Sequence, residues 1–212
     1  MRSKSSLLPI LILVAALALW IIDIPWQSRP PVQQTGETSG KYEIHRDCTL
    51  AENRGNDGDS FRVKFPDGRT ETIRLYFVDA PESAFKTYGG GRNNHSRIAK
   101  QAADLGGITP QQAVEIGKQA KSFTFSQLSA APFTIHTEWD DPFGDRRFHA
   151  FVEIMHNGKS RFLHELLVEK GLARIHTKGS PLPDGTPERK QEARLLNFER
   201  VAKSNEAGAW KF

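Results

Sequence analysis

The chain has 212 residues, 38% of them apolar and 25% charged, a globular composition of one domain plus extra segments. Its net charge of +4 and pI of ≈ 9.2 suit an acidic polymer partner without specifying one. Cys48 is the single cysteine, which excludes any intrachain disulfide framework.

Residues 1–26 read as a targeting or anchoring segment. Arg2 and Lys4 precede an apolar run from Leu7 to Ile22, with Trp20 and Trp26 near its far boundary. The run is slightly short of the roughly 17–25 residues of a spanning helix. The expectation is a retained transmembrane anchor, with Met1 in the cytoplasm and the rest outside. A cleaved signal peptide is the alternative. Its best small-x-small site, Ala16-Leu17-Ala18, would leave Leu19-Trp20-Ile21-Ile22 on the mature end. Residues 27–40 are rich in Pro, Gln, Ser and Gly and read as an extended, mobile linker. An ordered domain is expected over 41–212.

Phe61, Val63 and Phe65 alternate with Arg62 and Lys64, the period of a half-buried strand. Pro66-Asp67-Gly68 is a turn signal, and Thr70 to Val78 reads as the return strand. Such a hairpin brings Asp57-Gly58-Asp59 near Asp79-Ala80-Pro81-Glu82, with Arg74 on the strand between. The clustered oxygens offer hard ligands and a base, and the arginine offers a phosphate clamp. Any one of these carboxylates alone would be an ordinary solvated turn residue.

Tyr88 to Asn94 reads as a loop. Its glycines lack the Lys-Ser/Thr ending of a phosphate loop. Ser96 to Leu105 is a short helix candidate. Thr109-Pro110-Gln111-Gln112 reads as a capping box that starts a second helix, with Ala113, Ile116, Ala120 and Phe123 on its packed face. Phe133 to Trp139 and Phe148 to Met155 are strand candidates, and His156-Asn157-Gly158-Lys159 is a hairpin turn. Phe162, Leu163, Leu166 and Leu167 form a helical stripe that ends at Gly171. Residues 181–187 read as a loop, and Glu188 to Lys203 as a charged helix with Ala193, Leu196 and Val201 inward. None of the seven histidines pairs at His-x-x-x-His spacing, which argues against catalytic zinc. His149 and His164 read as partly buried hydrogen-bonding residues.

Two motifs carry a resemblance. Asp57-Gly58-Asp59-Ser60 and Arg74-Leu75-Tyr76-Phe77-Val78-Asp79-Ala80-Pro81-Glu82 resemble the active-site signature of the staphylococcal nuclease (thermonuclease) family. The likeness runs from about Lys41 to the closing Gly208-Ala209-Trp210, with residues 89–105 as an insertion. The resemblance implies an α+β, mainly β fold: a five-stranded OB-type barrel with about three packed helices. Arg92, His95, Arg97 and Lys100 make the insertion basic. A solvated surface helix is favoured slightly over a nucleic-acid contact.

The resemblance also implies a mechanism. Asp59, Asp79 and the Ala80 carbonyl would bind Ca²⁺, Glu82 would hold or deprotonate the attacking water, and Arg74 and a second arginine would clamp the phosphate. Counting back from Ala150 selects Arg147, and counting forward from Gly144 favours Arg146; Arg147 is the choice. Three departures stand out. Ala80 replaces a threonine, Phe143 replaces a tyrosine, and His176 and Thr177 take the place of nucleotide-contacting tyrosines. The chemical machinery is retained while base and sugar contacts are altered. The expected function is a Ca²⁺-dependent nuclease of DNA, RNA or both, tethered to the membrane and monomeric with no obligate protein partner. The alternative is a non-catalytic OB-type module that binds nucleic acid or protein. A purely binding module has no need of the full set Asp59, Asp79, Glu82 and Arg74.

Overall fold

A computed structural model describes residues 37–212. The apolar run and most of the expected linker lie outside these residues. Among the described residues no helix is long and apolar enough to cross a membrane. The first strand, β1 (Glu37–Ser39), falls within the stretch read as linker and pairs with β2 (Tyr42–Leu50).

Five strands close a barrel. β2 pairs through Thr49 and Leu50 with β3 (Ser60–Lys64), and through Glu43 to Cys48 with β6 (Phe133–Thr137). One strand serves two neighbours because its register shifts between His45 and Cys48, where Asp47 has φ 55°. β3 pairs with β4 (Thr70–Leu75), β4 runs parallel to β7 (Arg147–His156), and β7 pairs with β6 to complete the ring. This is the five-stranded OB-type barrel implied by the resemblance. Phe61, Val63, Ile73, Leu75, Ile135 and Phe151 fill it and are fully buried.

The return strand ends three residues earlier than its pattern suggests. Phe77 has φ 69°, which breaks the extended run after Leu75. The chain resumes as β5 (Val78–Asp79), which leaves the barrel and pairs with β9 (Arg174–Ile175). At the other hairpin, Asn157 and Gly158 take φ 51° and 74°, the left-handed pair of a two-residue turn between β7 and β8 (Lys159–Phe162).

Among the described residues, four α-helices pack outside the barrel. α1 (His95–Asp104) and α2 (Pro110–Ala130) share a small core of Ile98, Ala102, Ala113 and Val114. The Thr109/Gln112 capping box starts α2 as expected. α3 (Leu163–Glu169) ends where Gly171 N–H donates to the Val168 carbonyl and Leu172 N–H to that of Leu167. This crossed pair is the Schellman stop, with Gly171 at φ 63°.

α4 (Glu188–Ser204) corrects the sequence reading. Its buried residues are Gln191, Leu195 and Ala202, while Ala193, Leu196 and Val201 are exposed. The face is anchored by a polar side chain that apolar counting passes over. Gln191 is fully buried and its amide meets His164 Nε2 at 2.9 Å and Glu165 Oε1 at 2.9 Å. His164 is therefore a hydrogen-bonding residue. His149 is not: it is fully buried and neither ring nitrogen has a partner.

Burial, with the nearby charge of Arg194, pushes the His164 imidazole down to about 3 from an ordinary 6.5. The folded chain keeps this ring neutral, while the unfolded chain protonates it below 6.5. Its contribution to stability is therefore lost as pH falls from 6.5 toward about 3. Between pH 6.5 and 5 the loss is about 2 kcal/mol for one such group. Urea unfolding of the parent and of His164→Phe at pH 7 and pH 5 tests this. The variant should lose less stability on acidification, and an equal loss would exclude His164 as the cause.

Candidate active site

The β3–β4 hairpin places the first two groups. Ser60 lies opposite Arg74 in the register, and Leu75 N–H donates to the Asp59 carbonyl at 3.0 Å. The strand partners themselves thus set Arg74 beside Asp59. The Asp59 carboxylate accepts from Ala80 N–H at 2.7 Å through Oδ2, which lies 3.6 Å from Arg74 Nη2. The β5–β9 pairing does the same for Asp79, whose register partner is Arg174.

Asp79 is the hub. It is 2% exposed. Its Oδ1 accepts from Arg74 Nη2 at 2.8 Å and Arg97 Nη2 at 2.9 Å. Its Oδ2 accepts from Gln101 Nε2 at 2.8 Å and Arg174 Nε at 2.9 Å. Arg174 is held in turn by Asp104. Burial alone would push the Asp79 carboxyl up. Arg97, the Gln101 hydrogen bond, Arg174 and Arg74 together outweigh it and hold the carboxyl below its usual range. Asp59 goes the other way. Burial, aided by the charge of Asp79, lifts it above the usual range against the pull of Arg74. Positive charge is thus abundant at one carboxylate and short at its neighbour.

Glu82 is less buried. Its Oε1 lies 3.1 Å from Arg97 Nε, and its Oε2 accepts from Asn94 Nδ2 at 3.3 Å. Gln101 clamps this loop: Nε2 also donates to the Ala80 carbonyl at 3.1 Å, and Oε1 accepts from Glu82 N–H at 3.1 Å.

Two adjoining grooves open on this cluster. The larger, ≈ 730 Å³, is lined by Asp79, Lys100, Phe143, Arg174, His176 and Lys178 among others. The smaller, ≈ 360 Å³, is lined by Asp57, Asp59, Ala80, Glu82 and Tyr88 among others. Arg74, Arg97 and Arg147 line both. The buried Nε of Arg74 has no hydrogen-bond partner, so a donor is left for a ligand. Arg147 is held by Asp145, with Nε 2.8 Å from Oδ2. Arg146 lines neither groove.

The structure thus gathers Asp59, Arg74, Asp79, Ala80, Glu82 and Arg147 at one rim. It also adds residues the sequence reading missed. Arg97 and Gln101, from the insertion read as a surface helix, are bound into the cluster, and so is Arg174. The signal available for the first two was their i,i+4 spacing on a helix whose Ile98 and Ala102 face inward.

The expected Ca²⁺ ligands fit a hard cation by chemistry, since all are oxygens and Asp59 is a buried carboxylate short of positive charge. Among the described residues, however, no group of three or more His, Cys, Asp or Glu side chains is arranged around a metal position. The oxygens of Asp79 are taken by guanidinium and amide donors.

α2 supports the rim by close approach. A Cβ at Gly117 would lie 2.5 Å from the carbonyl oxygens of both Pro81 and Glu82. Gly117 is a helix-interior glycine, which costs about 1 kcal/mol relative to alanine in isolation. Gly117→Ala should nonetheless destabilise the protein, by about 1–3 kcal/mol from overpacking. Thermal melting checks this, and a variant that melts at or above the parent would show that the loop yields freely.

The family described as Staphylococcal nuclease homologue matches residues 72–212. No curated protein matches the chain.

Proposed function

Because the chain belongs to the staphylococcal nuclease family, we propose that it hydrolyses phosphodiester bonds in DNA, RNA or both. One observation carries this reading: Arg74 and Arg147 line the same two grooves, and Asp59, Ala80 and Glu82 line the smaller of them. A phosphate seated there meets forked donors from two directions, beside a carboxylate able to act on water.

In this reading Arg74 and Arg147 bind the phosphate and stabilise the extra negative charge of the pentacoordinate transition state. The unpartnered Nε of Arg74 supplies a donor for that purpose. Glu82 orients the attacking water and takes its proton as the new P–O bond forms. The old P–O bond breaks, and the leaving oxygen takes a proton from solvent water, to which Glu82 later returns the one it removed. Asp59, Asp79 and the Ala80 carbonyl are the groups that would hold Ca²⁺. When bound, the ion supplies positive charge to the phosphate oxygens. Lys100, Lys178 and Arg174 make the larger groove basic, which suits a polyanionic strand. Phe143 is 66% exposed and offers a stacking face for a base in that groove. Residues 1–26 support a protein tethered to the membrane with this domain outside the cytoplasm. N-terminal sequencing of the membrane fraction tests retention, and an exported soluble chain beginning near Leu19 would exclude it.

Steady-state cleavage of a labelled oligonucleotide tests the chemistry. Glu82→Gln should lower kcat by a factor on the order of 10²–10⁴. Arg147→Ala should lose far more activity than Arg146→Ala. A Glu82→Gln protein with parental kcat would overturn the mechanism and favour a non-catalytic binding module.

A further inference from the structure

The three guanidinium groups on Asp79 are not equivalent. The Arg74 and Arg174 side chains are each 6% exposed, whereas that of Arg97 is 45% exposed. Arg74 belongs to a barrel strand and Arg174 to the β5–β9 pair. Arg97 comes from α1, outside the barrel. It also bridges: Nη2 lies 2.9 Å from Asp79 Oδ1, and Nε lies 3.1 Å from Glu82 Oε1. A positive group that joins these two carboxylates stands where a hard cation would have to share oxygens.

We infer that Arg97 is a displaceable counter-ion that competes with a divalent cation for Asp79 and covers Glu82 until it leaves. The inference rests on the nuclease reading and describes how its site is regulated. The guanidinium and the cation need the same carboxylate lone pairs, and both are positive, so they exclude one another. Of the three arginines, only Arg97 can leave at low cost. Its long side chain is already half in water, so its guanidinium re-solvates on leaving, and the arriving cation replaces its charge at Asp79. Removing Arg74 or Arg174 would strand a buried charge. Departure of Arg97 frees Oε1 of Glu82, the group assigned to act on water, while Asn94 still holds Oε2. Gln101 keeps its bonds to Asp79, Ala80 and Glu82 throughout, so the loop holds its shape. The insertion thereby sets how much cation the site needs before it works.

Calorimetric titration of calcium chloride alone into the full chain tests this. Arg97→Ala should bind Ca²⁺ more tightly than the parent by roughly tenfold, the scale of one charged hydrogen-bonded contact. Arg97→Gln should tighten binding too, and Arg97→Lys, which keeps the charge, should stay near the parent. A merely structural Arg97 would leave affinity unchanged or weaken it on removal. Unchanged or weaker affinity in Arg97→Ala and Arg97→Gln, with both folded by circular dichroism, overturns the inference, as does absence of Ca²⁺ binding in every form. A parent that cleaves nucleic acid while these affinities stay equal defeats the counter-ion role alone. Tighter binding in a protein that never cleaves defeats the nuclease reading and leaves the competition standing.

Discussion

The buried carboxylate of Asp79 is the constraint on which the rest of the rim depends. A lone carboxylate at 2% exposure would be very costly. This one is met by Arg74, Arg97, Arg174 and Gln101, which come from a barrel strand, the insertion helix and a strand far along the chain. Burying such a cluster gains little net free energy, since desolvation offsets attraction. Removing Arg74 or Arg174, the two buried guanidinium groups, is different, at about 3–5 kcal/mol, because buried charge is left unpaired. The cluster therefore fixes geometry more than it adds stability. It ties α1 and β9 to the end of the hairpin.

Close packing of small residues completes the support. A Cβ at Gly58 would lie 2.8 Å from that of Ala120 and 3.1 Å from that of Ala80. Thr124 Oγ1 donates to the Gly58 carbonyl at 2.7 Å. α2 thus touches the backbone on both sides of the site, at Gly58 and at the Pro81–Glu82 carbonyls. These contacts give the carboxylates a rigid seat, as a catalytic constellation requires.

What was legible in the sequence was local. Phe61, Val63 and Phe65 announced a strand through alternation, Thr109 and Gln112 announced a helix start, and Asn157-Gly158 announced a hairpin turn. The ordered motif from Arg74 to Glu82 pointed to the rim, although the β3–β4 hairpin places only Asp59 and Arg74 and the β5–β9 pair places Asp79. The failures share a physical origin in distant polar partners. Gln101 and Arg174 reach Asp79 across 22 and 95 residues, and no periodicity records such a contact. The buried face of α4 was misread because Gln191, a polar residue, is satisfied by His164 and Glu165. The strand break at Phe77 was hidden because its aromatic side chain favours a strand while its backbone takes a positive φ.

The central claim is that the Asp79 cluster organises a site that cuts phosphodiester bonds. Its most direct test is the rate at which the purified full chain and Asp79→Asn cleave end-labelled single-stranded DNA and RNA, with folding followed by circular dichroism. The parent should cleave at least one of the two, and the folded variant should be slower by a factor on the order of 10² or more. A folded Asp79→Asn chain that cleaves at the parental rate would contradict the claim.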